Sequence, residues 1–276
     1  MTGKLIFFWD FDAQWGADQS RTPGGVKKWG FDEFVNTEHL LEIHDQYKIP
    51  SCFAVVGSIV LPGSRPYHDP ALIKKISNAG HEIASHGLKH EWIPAMGEEA
   101  LKRDLEISKE ILEQCVGRSI TTFVPPFNQP FDFKGKGSIS LSERKIEKKL
   151  RIDIPKLCKV LFEVGYRVAR ISYSNIFERI YSLGKSTTQK TTKMENINGI
   201  KTIRLNGSAG FGQDAIYKLH QAVQKNEFVI IYGHPHSISG NTRQSLKNLI
   251  PFFDEVLTLM NEKKLQIILP GDLCNY

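Results

Sequence analysis

The feature that most restricts the fold is an alternation that runs the length of the chain. Short apolar runs at Leu5–Phe11, Ser51–Val56, Glu82–Ser85, Thr121–Val124, Arg167–Ser172, Lys201–Asn206, Phe228–Tyr232 and Gln266–Leu269 read as strands. Between most of them lie stretches of helical periodicity, near Glu33–Tyr47, Pro70–Asn78, Glu98–Gln114, Ile154–Glu163, Asp214–Gln224 and Gln244–Asn261. Repeated strand–helix units force parallel strands with covering helices, hence an α/β open sheet or barrel. About eight strands in this length favour a distorted (β/α)7-8 barrel. Two segments break the rhythm, 132–153 and 183–199, and read as surface insertions on a single domain spanning 1–276. No internal repeat and no linker is visible.

At 276 residues, 41% hydrophobic and 24% charged, the chain has the balance of an ordinary globular protein. No run reaches the roughly 18 apolar residues of a membrane span. The apolar N-terminal run stops at Asp10 and offers no small-residue cleavage site, so a cytoplasmic location is expected. Cys52, Cys115, Cys158 and Cys274 form no C-x-x-C pair, which argues against a thiolate zinc site. The net charge of +6 is concentrated between Lys134 and Arg151, where seven basic residues face two glutamates. Without interleaved aromatics this is no nucleic-acid signature. It reads as a solvated charged face, with a seat for an anionic substrate as the alternative.

In α/β folds of this kind chemistry collects at the C-terminal ends of the strands. Four such ends carry reactive side chains here. Asp10 and Asp12 close the first run, "KLIFFWDFD", and a period of two places both carboxylates on one face. His86 and His90 follow the third run in "SHGLKH", a spacing that brings two imidazoles about 5–6 Å apart at Cβ on a helical turn. "PPFNQPF" follows the fourth strand, and "GHPHS", with His234 and His236, follows "FVIIY". A D-x-D at a strand end also serves as turn or cap chemistry, and an isolated histidine pair arises by chance. Together, one carboxylate and two imidazoles make a three-ligand set for one divalent metal with a position left for water. Zinc is the expectation, with cobalt, nickel and iron also suited to the donors.

The order "DFDA", "SHGLKH", "VPPFN", "YGHPH" resembles the polysaccharide deacetylases, the NodB homology domain of carbohydrate esterase family four, over Leu5 to about His236. The one-residue gap between the aspartates looks like the intracellular-type branch of that superfamily. The resemblance implies a distorted barrel of the polysaccharide deacetylase (NodB) type. It implies Asp10 as general base, Asp12, His86 and His90 as metal ligands, the backbone N–H of Phe127 as oxyanion donor and His234 as general acid. It also implies an N-acylated amino sugar as substrate, here a cytoplasmic precursor of a surface glycan, nucleotide- or lipid-linked.

Departures accompany the resemblance. Val124 stands where most members carry an arginine that pairs with the base, so another cation must face Asp10; Arg170 is the better candidate and Arg204 the second. The family's aspartate and tryptophan that orient the acid histidine and line the acyl pocket are missing from Arg167–Ser174, and Asn128 replaces a glycine. His236 has substrate contact, support of the site or plain exposure open to it, and His81 reads as structural. Trp15, Trp29 and Trp92 fit either sugar stacking or packing, and Arg21 has no required role. Hydrolysis of a non-sugar amide or cyclic imide, and a sugar-binding pseudoenzyme, remain as alternative readings.

Overall fold

The computed structural model describes residues 2–20, 27–128, 153–171, 193–205 and 209–275. Arg21, the basic stretch Lys134–Arg151 and most of both expected insertions lie outside the described residues. In chain order the elements are β1 (Gly3–Phe11), α1 (Ala13–Gln19), α2 (Gly30–Tyr47), β2 (Cys52–Val55), α3 (Pro70–Asn78), β3 (Glu82–Ser85), α4 (Glu98–Val116) and β4 (Thr122–Phe123). They continue with α5 (Ile154–Val164), β5 (Val168–Ile171), β6 (Lys193–Ile197), β7 (Ile200–Arg204), α6 (Gln213–Lys225), β8 (Phe228–Gly233), α7 (Leu246–Asn261) and β9 (Leu265–Ile267).

The strands form one sheet in the order β6-β7-β5-β4-β3-β2-β1-β8, with β9 pairing to the start of β1. Every ladder is parallel except β6 with β7. Among the described residues no ladder joins β8 to β6 or β7, so the expected distorted barrel is a curled sheet left open on one side.

β1 shows how sequence sets the two faces. Leu5, Phe7, Trp9 and Phe11 pack outward with the helices in the larger core, among them Phe34, Phe53, Phe211, Phe252 and Phe253. Ile6 and Phe8 point inward to a smaller cluster with Cys52, Ala54, Ala84, Val124, Val168, Ile203 and Ile230. Asp10 continues the inward series, as does Arg170 two residues after Val168. Local chemistry ends the helices. Asp69 caps α3 by accepting the Leu72 N–H at 2.9 Å, and Asp153 caps α5 through Lys156 N at 3.2 Å. Gly117 and Gly165 close α4 and α5 in the left-handed conformation.

Three expectations are corrected. Residues 193–197 of the second insertion form β6, turned onto β7 through Asn198 (φ 50°) and Gly199 (φ 82°). Both residues have positive φ, the requirement of a tight hairpin turn that Asn-Gly meets. Asp12, expected to close the first strand one pleat beyond Asp10, lies instead at the N-cap of the short helix α1. His86 to His90 is a loop rather than a helical turn, because Gly87 (φ 77°) and His90 (φ 58°) both take left-handed backbone.

Candidate metal centre and active site

Asp12, His86 and His90 converge, all buried, with ligand atoms within 4.8 Å of one another. Asp12 Oδ1 lies 3.3 Å from His86 Nε2 and 3.4 Å from His90 Nε2. That oxygen is buried and receives no hydrogen bond from the described residues. A buried carboxylate oxygen facing two imidazole nitrogens is what a bound cation would satisfy, and the donor set suits a divalent transition metal. His86 Nδ1–H donates to the Val124 carbonyl at 2.7 Å, which leaves the Nε2 lone pair aimed at Asp12. The backbone of Val124 therefore orients His86 while its side chain packs on the inner face of the sheet. Burial would raise the Asp12 carboxyl, but His90 and His86 outweigh it and hold it well below the ordinary value.

The loop that carries the two histidines is pinned on both sides. Gly57 N–H donates to Gly87 O at 2.8 Å and Ser58 N–H to Leu88 O at 2.9 Å. From α4, Asp104 accepts the Leu88 N–H at 3.1 Å. Gly16 must be glycine because a β-carbon there would overlap the Asp12 side chain.

Asp10 lies beside this cluster, on the inward face of β1. Arg170 Nη2 donates to Asp10 Oδ2 at 2.6 Å, and both side chains are buried. The guanidinium is stacked between Phe8 and Tyr232, 4.7 Å from each ring centroid. Burial would raise the Asp10 carboxyl; Arg170, His86 and His234 together bring it below its ordinary value. Asp10 Oδ1 is buried and takes no hydrogen bond from the described residues, which leaves one basic oxygen available.

His234 Nε2 is 3.9 Å from Asp10 Oδ2. Gln244 Oε1 accepts both the His234 backbone N–H at 2.7 Å and Nδ1 at 3.0 Å. The backbone group can only donate, so the shared Gln244 atom is an oxygen and Nδ1 carries a proton. Nε2 is therefore the end turned toward Asp10. Phe127, at φ 61° after β4, sets its ring edge-on to His90 with centroids 4.5 Å apart. His236 stacks on Trp29 and bonds Glu33. His81 is held by Ser51 at Nδ1 and sits against His44 and Phe53, away from the cluster; burial pushes its pKa down to about 4.

Sequence reading missed Gln244, Glu33 and Asp104. Glu33 and Asp104 look like ordinary helix-surface acids, and Gln244 lies ten positions past His234 with no motif around it.

The family model for polysaccharide deacetylase matches residues 25–132. The peptidoglycan-N-acetylglucosamine deacetylase of Bacillus cereus is 29% identical over 90 residues, 33% of this chain and 39% of that protein. A chitooligosaccharide deacetylase of Sinorhizobium fredii is 27% identical over 101 residues, 35% of this chain and 44% of that protein. The matches thus span about two fifths of the length of these relatives. A Mycobacterium smegmatis structure assigned provisionally as a polysaccharide deacetylase superposes with a TM-score of 0.62 at 17% identity, covering 99% of this chain and 88% of that one.

Proposed function

We propose that this relative of the polysaccharide deacetylases is a metal-dependent hydrolase that removes an acetyl or formyl group from the nitrogen of an amino sugar. The observation that carries the reading is the buried meeting of Asp12, His86 and His90, with Asp10 and His234 alongside. When bound there, a divalent ion, zinc by preference, supplies Lewis acidity toward a water molecule and the amide carbonyl.

The remaining work belongs to the protein's own groups. Asp10 accepts the proton of the attacking water at Oδ1, while Arg170 keeps the carboxylate ionised through Oδ2. The Phe127 backbone N–H holds the developing oxyanion, and His234, keeping its Nδ1 proton on Gln244, gives a proton from Nε2 of the doubly protonated ring to the departing amine. Gln244 aims that histidine as a neutral acceptor, where the family uses a carboxylate. Because Arg170 reaches Asp10 from β5, loss of the family arginine at Val124 leaves the base with a cation. On this reading residues 1–276 act as one catalytic unit in the cytoplasm, on a precursor of a surface polysaccharide. A phosphate-linked sugar, borne by nucleotide or lipid, is the substrate form proposed.

The test is release of acetate or formate from a panel of N-acylated sugars, free and phosphate-linked, by zinc-loaded protein. Asp10→Asn should abolish release and leave metal content near one equivalent per chain. Release from cyclic imides alone, or sugar binding without turnover, would overturn the proposal.

A further inference from the structure

Behind the turn that carries Asp12 lies a carboxylate that the reaction does not use. Glu33, in the first turn of α2, is completely buried. Its Oε2 accepts the backbone N–H of Asp12 at 3.2 Å and, at closer range, that of Ala13. Its Oε1 accepts Nδ1–H of His236 at 3.4 Å, and the His236 ring lies flat on Trp29 with centroids 4.4 Å apart. One turn further along, Asn36 Nδ2 donates to Pro235 O at 2.8 Å and to Ser239 Oγ at 3.3 Å. One helix therefore grips two loops, the turn after β1 and the loop after β8.

Ala13 makes that grip necessary. It sits at φ 51°, a left-handed conformation that strains any residue carrying a β-carbon. The N–H groups of Asp12 and Ala13 also open α1, where no earlier turn supplies an acceptor. A buried carboxylate that takes both satisfies two donors at once and is itself satisfied. Remove it and the turn relaxes, taking with it the carboxylate that must meet His86 and His90.

We infer that Glu33 is a positioning residue for Asp12, and that through His236 it couples the metal-ligand turn to the loop bearing His234. The inference rests on the metal-centre reading above. Its test is zinc affinity, measured by competition with a chromophoric chelator, together with the visible spectrum of the cobalt-loaded protein. Glu33→Ala should weaken zinc by about 10–100-fold and alter the cobalt spectrum. Glu33→Gln keeps an acceptor oxygen and should stay within about threefold of wild type, with the wild-type spectrum.

Thermal unfolding of the metal-free variants separates misfolding from mispositioning. Should Glu33→Ala not fold, Glu33→Asp, which withdraws the acceptor by one methylene, carries the same expectation of weakened zinc. A folded Glu33→Ala or Glu33→Asp with wild-type affinity and an unchanged cobalt spectrum overturns the role of Glu33. Wild-type protein that takes up no zinc overturns instead the metal-centre reading, and the inference with it.

Discussion

Arg170 and Asp10 show how much one residue pair decides. Both are buried, and the guanidinium is what keeps the carboxylate charged against the pull of its surroundings. The folded-state value lies below the ordinary 3.8, so ionised Asp10 contributes stability that is full above that pH and is lost as pH falls through the lowered value. Arg170→Met leaves the carboxylate buried and unpaired, at a cost of about 3–5 kcal/mol in denaturant unfolding. It also moves the acidic limb of kcat/KM to higher pH, because Asp10 then protonates more readily; an unmoved limb would exclude Asp10 as the base. The even-numbered inward series of β1 made Asp10 legible from sequence, and Arg170 was legible only as one of two arginines on neighbouring strands. Gln244 was not legible at all, since an amide in a loop acquires meaning only when a histidine is found against it.

At the scale of elements, two sites carry predictions. Gly199 sits at φ 82° in the β6–β7 turn, and a β-carbon there would come 2.6 Å from the Phe162 ring. Gly199→Ala should lower unfolding free energy by about 1–2 kcal/mol, with zinc affinity unchanged. The Asn-Gly signal was present in the sequence, but a polar, charged stretch around it concealed β6. At the opposite end of the sheet from the site, Glu82 in β3 accepts from Thr122 Oγ1 at 2.5 Å and from Gly271 N–H at 2.8 Å. Burial pushes its pKa up to about 7, despite these two donors. The folded chain then holds a proton that the unfolded chain, near 4.5, releases. Stability should therefore fall as pH rises from about 4.5 to about 7 and level off above. Glu82→Gln should flatten that slope in unfolding midpoints measured across the window, and an unchanged slope would place the titration elsewhere.

For the molecule as a whole, the proposed metal centre would draw its ligands from separate strand ends, so an ion held by Asp12, His86 and His90 would tie the turn after β1 to the loop after β3. Binding to the folded state alone stabilises by about 2.7 kcal/mol at free metal one hundred times Kd. Zinc should raise the unfolding free energy of wild type by that amount and leave His90→Ala unaffected; equal gains in both would mean the ion binds elsewhere. Among the described residues no helix is long and apolar enough to cross a membrane.

The sequence by itself determined the layered α/β plan, the inward and outward faces of β1, and the strand ends on which reactive groups gather. These depend on periodicity and local backbone chemistry, which a linear string records. The opening of the sheet between its edge strands β8 and β6, the loop geometry that turns His86 and His90 toward Asp12, and the gathering of Arg170, Gln244 and Glu33 were decided by tertiary structure. They arise from long-range packing, such as the 160 positions that separate Asp10 from Arg170, and no local pattern encodes a contact of that range.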